Sequence, residues 1–257
     1  MPFLDFANPS RFLAFARRAL PWLSGASLIA FALAIYLATA VPFALYEQSQ
    51  TILIMFIHVP AAWLGMMGWA LMSVSALGTL VWRHPLADVA AKATAPVGAA
   101  FTFICFTTGW LWGRASWAGG GNLPLEYMIL DARLSSVLML LIFYLVVIAL
   151  VRAIDEPSRA ARVAAIFTLV GVLILPIIKF SVDWQQGKYT LHQRESLIRA
   201  DGPQLDMPIL ITLLVAALAF TLLFFTLHLA AMRNEILRRR VRSMRLMQAR
   251  ELAEASA

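Results

Sequence analysis

The sequence predicts an all-α integral membrane protein with six transmembrane helices. Of its 257 residues, 61% are hydrophobic and only 14% are charged, whereas soluble domains are about half apolar and about a quarter charged. The mean hydropathy is +0.77. Six apolar segments are long enough to cross a hydrocarbon core of about 30 Å, which takes roughly 20 helical residues. Helices are the expected spanning element because they satisfy their own backbone hydrogen bonds in lipid.

The first three predicted spans are Trp22–Phe43, Pro60–Trp82 and Thr94–Trp112. The first exceeds the 7–15-residue apolar core of a cleaved secretory signal, so we expect it to remain as a span. The second is assigned a start at Pro60, because the apolar run 51–82 is too long for one ordinary span and proline is accepted in the first turn of a helix. Residues 51–57 are then expected in the outer interface, with His58 at the break.

The last three predicted spans are Leu134–Val151, Val163–Phe180 and Met207–Met232. Asp131, just before the fourth span, is most simply a helix N-cap or a first-turn charge that complements the helix dipole. We expect residues 1–232 to form one six-helix transmembrane domain. Residues 233–257 are predicted to form a separate basic tail.

Basic residues are unevenly divided between the two sides of this predicted bundle. One side holds 15 of the 21 Lys and Arg residues: Arg11, Arg17, Arg18, Arg83, Lys92, Arg152, Arg159, Arg162 and the seven arginines of the tail. The other side holds six: Arg114, Arg133, Lys179, Lys188, Arg194 and Arg199. Because basic residues favour the cytoplasmic side, both termini are expected in the cytoplasm (N-in/C-in), with segments 44–59, 113–133 and 181–206 outside. The bacterial inner (plasma) membrane is the expected location.

The net charge of +7 does not by itself indicate nucleic-acid binding. Seven of the basic residues follow Met232 in the tail, directly beside a span. Such a placement is typical of an orientation signal and of contact with anionic lipid. We therefore expect anionic lipid at the tail and no nucleic acid.

Two of the four histidines, His58 and His192, fall on the outer side in this topology. Two imidazoles that approach from opposite faces can hold a haem iron by axial ligation. The alternatives are a hydrogen-bonded interfacial histidine at position 58 and a solvated loop residue at position 192. His84 and His228 are predicted near the opposite side, so they do not join the pair.

The outer segment between spans three and four is rich in aromatic residues, among them Trp112, Trp117 and Tyr127. They suit either the ordinary aromatic belt of a membrane interface or a flat platform for a planar ligand. Arg133 can pair with a ligand carboxylate, with Asp131 or with a lipid phosphate, and the sequence leaves these alternatives open.

Several short motifs carry a resemblance to a known family. They are His58–Trp63 (HVPAAW), Thr108–Gly113 (TGWLWG), Asp131–Ser136 (DARLSS), Ser181–Trp184 (SVDW) and Thr190–Gln193 (TLHQ). Together they resemble the signature of the CcmC family, haem-handling membrane proteins of bacterial cytochrome c maturation. The length, the six spans and the predicted topology are also similar, so the resemblance covers most of the chain.

The resemblance implies a haem b held as transient cargo at the periplasmic surface, with His58 and His192 as axial ligands of its iron. The further haem-binding candidates are Trp112, Trp117, Tyr127, Asp131 and Arg133. It also implies delivery of haem to the periplasmic chaperone CcmE. The expected complex contains the ABC transporter subunits CcmA and CcmB and the small membrane protein CcmD. Whether the protein also assists the covalent attachment of haem to the chaperone stays open.

The sequence departs from the family pattern in two outer segments. Residues 126–130 (EYMIL) stand where the family has tryptophans before the aspartate, with Tyr127 as the candidate replacement. Residues 185–189 lengthen the segment that carries His192. Two other functions remain open at this point. One is a permease subunit for haem or another solute, and the other is a scaffold subunit that does not bind haem.

Overall fold

The computed structural model describes residues 8–42, 49–117, 130–184, 198–199, 202–203 and 205–255. Its seven described α-helices are α1 (Pro9–Thr39), α2 (Met55–Leu80), α3 (Ala87–Trp117), α4 (Ala132–Ala153), α5 (Pro157–Gly171), α6 (Ile174–Trp184) and α7 (Met207–Ala255). A 3-10 helix, Ser49–Ile54, leads into α2, and two antiparallel two-residue strands, β1 (Ile198–Arg199) and β2 (Gly202–Pro203), precede α7.

Six helical segments in the described part of the chain are long and apolar enough to cross a membrane. They are Pro9–Thr39, Ser49–Leu80, Ala87–Arg114, Ala132–Ala153, Pro157–Trp184 and Met207–Ala255. The predicted all-α, six-span class is therefore confirmed. The first helix begins earlier than predicted because Asn8 caps it, accepting a hydrogen bond from the Ser10 N–H at 2.8 Å, and Pro9 occupies the first helical position.

The predicted start of the second span at Pro60 is wrong. Helix α2 already begins at Met55, and the 3-10 helix before it makes one continuous helical segment, Ser49–Leu80. Pro60 lies inside α2. It removes only the backbone hydrogen bond to the carbonyl of Phe56, close to the helix start, and the helix passes through it. His58 consequently lies within a helical turn and not at a break.

The fifth span is interrupted, since α5 ends at Gly171 and α6 begins at Ile174. Pro176 has no N–H to donate to the carbonyl of Val172, which removes one helical hydrogen bond at this turn. The backbone instead closes with 3-10-type bonds, from Val172 N–H to Leu169 O at 3.3 Å and from Leu175 N–H to Val172 O at 3.1 Å.

The main core joins α2, α3, α4 and α7 around three fully buried aromatic residues, Trp69, Tyr144 and Phe224. The Tyr144 hydroxyl donates a hydrogen bond to the Gly65 carbonyl oxygen at 2.7 Å. Its ring lies against Gly98, where an added Cβ would stand 2.3 Å from the ring. Glycine is required at position 98 because the Tyr144 ring of α4 is in direct contact with the backbone of α3.

Two smaller apolar clusters define the ends of the bundle. At the first, Phe12 and Ala16 of α1 pack against Met232 and Ile236 of α7, and we call this the basic end. At the second, Ala34 of α1 packs with Phe56 of α2 and Ile209 of α7, and we call this the His58 end. Since α1 begins and α7 runs out at the basic end, the two terminal helices leave the bundle on the same side.

Helix α7 continues past the sixth span without a break for 49 residues. At 1.5 Å per residue its length is about 74 Å, more than twice the thickness of the hydrocarbon core. The segment 233–255, expected as a tail, is therefore helical and extends the last span beyond the basic end.

Candidate functional site

The candidate site is built around His58, which lies in the first turns of α2 and is 8% exposed. Its Nδ1 atom is 3.1 Å from the carbonyl oxygen of Cys105 and 3.1 Å from the Thr108 Oγ1, both on α3. A carbonyl can only accept, so this contact requires that Nδ1 carries the hydrogen. The neutral imidazole then has its lone pair on Nε2, the ring nitrogen that can ligate a metal in this tautomer.

The Thr108 hydroxyl is oriented by its own helix. Its Oγ1 lies 2.6 Å from the Ile104 carbonyl oxygen, to which it donates. With its hydrogen so used, Oγ1 presents a lone pair to the His58 N–H. The donor–acceptor order is thus consistent from Nδ1 through the hydroxyl to the α3 backbone, and it favours a single tautomer of His58.

Two further α3 residues fix the position of the His58 ring. An added Cβ at Gly109 would lie 2.8 Å from the His58 Cε1. Any larger residue at this position would therefore clash with the imidazole ring. One turn farther, the rings of Trp112 and His58 meet edge to face, with centroids 5.9 Å apart and planes at 73°. The Trp112 Nε1–H is buried and has no hydrogen-bond partner among the described residues. Buried N–H groups normally donate a hydrogen bond, so this one can bond to an acceptor that binds beside His58.

Asp131 and Arg133 open helix α4 next to this site. Asp131 is fully buried, and its carboxylate accepts a hydrogen bond from the Leu134 N–H at 2.7 Å, which confirms the predicted N-cap. Leu134 is also among the nearest neighbours of the space beside Gly109. The Arg133 Nη2 donates to the Lys179 carbonyl oxygen at 3.4 Å, and the charges of Asp131 and Asp183 act on its guanidinium. Arg133 thus links the start of α4 to α6.

Among the residues predicted from sequence, His58 and Trp112 are in contact, and Asp131 and Arg133 lie at the adjoining helix start. His192, Tyr127 and the side chain of Trp117 fall outside the described residues, so the two-histidine arrangement stays a prediction. Sequence reasoning did not assign roles to three α3 neighbours of His58, namely Cys105, Thr108 and Gly109. Thr108 and Gly109 belong to a motif that was recognised, but their contact with position 58 depends on how α2 packs on α3.

The other two histidines lie toward the basic end, as predicted. His84 Nδ1 accepts a hydrogen bond from the Leu86 N–H at 3.3 Å in the turn between α2 and α3. His228 Nδ1 is 3.1 Å from the Thr94 Oγ1, and its ring stacks on Phe224 with planes at 14°. Both have local structural contacts away from His58.

Comparison with known proteins gives a consistent result along the chain. The family model described as "Heme exporter protein C" (CcmC) matches residues 2–247. The chain is 59% identical over 256 residues to Heme exporter protein C of Bradyrhizobium diazoefficiens, covering 100% of this chain and 93% of that protein. It is 38% identical over 234 residues to the protein of the same name from Escherichia coli, covering 91% and 90%. With that of Paracoccus denitrificans it shares 34% identity over 245 residues, covering 95% and 97%.

Proposed function

Because the chain belongs to the Heme exporter protein C (CcmC) family of multi-pass membrane proteins, which handle haem for cytochrome c maturation, we propose that it holds haem b at the His58 end. It then passes the haem to the chaperone CcmE. The proposal rests on one observation above all. The Cys105 carbonyl and the Thr108 hydroxyl engage Nδ1 of His58, and this supports Nε2 as the proposed axial ligand to iron.

In this proposal His192 supplies the second axial imidazole from the outer segment before α7. Two neutral nitrogen ligands complete the coordination of a haem iron and slow its loss. The Trp112 indole N–H is the proposed donor to one propionate oxygen, and Arg133, at the start of α4, is the proposed cation that pairs with a propionate. Trp117 and Tyr127 add aromatic surface against the porphyrin. Asp131 acts indirectly by fixing the start of α4.

The burial of His58 has a consequence for loading and release. With 8% of its surface exposed, the imidazole needs a more open site before it can bind a porphyrin. A carrier that must give its cargo away benefits from this, because binding then competes with closure of the site. We propose that this opening is coupled to the approach of the chaperone.

The orientation proposed here has the basic end in the cytoplasm and the His58 end in the periplasm, across the bacterial inner membrane. The charge distribution along the sequence supports it. The partners proposed for this complex are the ABC transporter subunits CcmA and CcmB and the small protein CcmD. The ATPase would then act on the side from which α7 projects.

Visible absorption of the detergent-purified protein loaded with haem tests the proposal. The wild type is expected to give a low-spin, six-coordinate spectrum. His58→Ala and His192→Ala are each expected to lose it, either by losing haem or by shifting to a high-spin form. His84→Ala is the matched control, because this histidine lies in the turn at the opposite end, and its spectrum should match the wild type. Unchanged spectra in both test variants would refute the two-histidine site.

A further inference from the structure

A second site is suggested at the basic end by a cavity of about 850 Å³ between α3, α4, α5 and the projecting part of α7. Five basic residues line it: Lys92, Arg152, Arg238, Arg239 and Arg242. Two acidic residues, Asp155 and Glu235, also face it. The lining therefore carries excess positive charge, and nothing in the haem site at the other end makes use of it.

Glu235 organises the inner wall of this cavity. Its carboxylate accepts hydrogen bonds from Arg238 Nε at 2.7 Å, Arg239 Nε at 2.9 Å and Lys92 Nζ at 3.3 Å. Arg239 also donates to the Asp88 carboxylate at 2.7 Å. Burial of Glu235 opposes its ionisation, but the bonds from the two arginines and the charge of Lys92 outweigh this and lower its pKa to about 2. One ionised carboxylate thus holds three cations in fixed positions.

Two further basic residues that line the cavity, Arg152 and Arg242, are not part of this network. Arg152 lies in the last turn of α4 and Arg242 lies one turn beyond Arg238 on α7, and both are exposed. Neither has an ion-pair partner within the described ranges. They face the same cavity, so they can converge on an anion that enters from outside.

The rest of the lining is apolar and leads toward the membrane. Val147, Ile148 and Val151 of α4 and Pro96 of α3 also line the cavity. Along α4 the lining passes from aliphatic side chains inside the span to a guanidinium at its end. A ligand that fits must therefore be anionic at one end and apolar at the other, and it must lie at the membrane surface.

We propose that this cavity is a binding site for an anionic glycerophospholipid of the adjoining leaflet. Its phosphate lies between Arg152 and Arg242, and the upper part of an acyl chain lies along Val147 and Val151. A free phosphate would leave the aliphatic wall unused. Haem is also an anionic amphiphile, but the described residues that line the cavity include no His, Cys, Met or Tyr to ligate iron. The lipid would hold the projecting part of α7 against α4 without any change at the His58 end.

The test uses full-length protein that has been delipidated in neutral detergent. Dioleoyl phosphatidylglycerol is titrated against dioleoyl phosphatidylcholine, with thermal unfolding and native mass spectrometry as readouts. The test variant is Arg152→Gln/Arg242→Gln. The control is Arg233→Gln/Arg245→Gln, which removes the same charge from exposed positions of α7 that do not line the cavity. Inorganic phosphate and glycerol phosphate are titrated in parallel.

The expected result is that phosphatidylglycerol binds the wild type and the control alike. It should bind the test variant at least about fivefold more weakly, because Arg152 and Arg242 are the residues proposed to contact its phosphate. Equal weakening in both double variants would mean diffuse attraction by the whole of α7 and would overturn the proposal. Equal stabilisation by inorganic phosphate would overturn the lipid as ligand. A loss of haem absorbance in the test variant alone would assign the cavity to haem. The haem spectrum of the His58 site is otherwise expected to be the same in all three proteins.

Discussion

The Nδ1 atom of His58 and the carbonyl oxygen of Cys105 lie 3.1 Å apart, although 47 positions separate these residues in the chain. The contact joins α2 to α3, which have the most extensive interface of any helix pair in the described part of the chain. The ring orientation of the proposed iron ligand is therefore set by backbone packing between two long helices. Side-chain substitution cannot remove this acceptor, so the experiments below act on its neighbours.

Gly109→Ala should displace the His58 ring, because the new methyl group would lie 2.8 Å from Cε1. We expect haem affinity to fall at least about tenfold, the range seen when the supporting contacts of a metal ligand are disturbed. Absorption titration with haem measures it. Gly25→Ala is the control, since no atom lies within 4 Å of the added carbon there. Equal affinities for the two variants would show that the close approach at Gly109 is unimportant.

Thr108→Val removes one of the two acceptors of the His58 Nδ1–H and keeps the shape of the side chain. The Cys105 carbonyl remains, so we expect a loss of about 2- to 10-fold in haem affinity, corresponding to about 0.5–1.5 kcal/mol for one hydrogen bond. The haem reduction potential should also shift, which a purely steric role would not produce. Thr107→Val is the matched control, because its hydroxyl bonds only to backbone carbonyls of its own helix. A potential identical to wild type in Thr108→Val would contradict the assignment.

Tyr144→Phe should lower the thermal stability of the purified protein. The substitution removes the hydrogen bond that the Tyr144 hydroxyl donates to the Gly65 carbonyl oxygen at 2.7 Å, at a cost of about 0.5–1.5 kcal/mol. Gly98→Ala should destabilise more, because its Cβ would overlap the Tyr144 ring. Tyr36→Phe, on the exposed face of α1, serves as the control for both. A melting temperature unchanged in Gly98→Ala would mean that α3 and α4 can separate freely at this contact.

Glu235→Gln should reduce stability at neutral pH and much less in acid. The pKa of Glu235 is lowered in the folded protein from its ordinary 4.5 to about 2. Its contribution is therefore fully present above about pH 4.5 and is lost as the pH falls toward 2. Thermal unfolding of both proteins from pH 7 to pH 3 measures the difference. A gap in melting temperature that stays constant down to pH 3 would rule out the ionised carboxylate as its source.

The proposed orientation can be tested by thiol labelling, after the lone cysteine, the buried Cys105, has been replaced. In a Cys105→Ser background, Gln248→Cys places one thiol on the exposed part of α7. A membrane-impermeant maleimide should label it in inverted membrane vesicles and not in intact spheroplasts. The reverse pattern would place the basic end in the periplasm and overturn the topology.

The six spans could be predicted because hydropathy over about 20 residues reflects the bilayer itself. Asp131 was also predictable, since an N-cap depends on the neighbouring sequence alone. The helix start at Met55 was not predictable. A proline five residues inside a helix removes one hydrogen bond, and the 3-10 segment before Met55 and the packing of Phe56 offset this loss. The contacts of His58 with Thr108 and Gly109 depend on helix packing across 50 positions, and no local pattern encodes them.

Helix α7 has one more implication. Ile209, near its start, packs in the same cluster as Phe56, two positions before the proposed iron ligand, while Arg239 and Arg242 lie on the same uninterrupted rod at the opposite membrane surface. A continuous helix can transmit a tilt from one membrane surface to the other without a chain of side-chain contacts. A bound lipid would keep this helix in place, whereas a partner protein that tilts it from the arginine end would also move Ile209, which packs in the same cluster as Phe56.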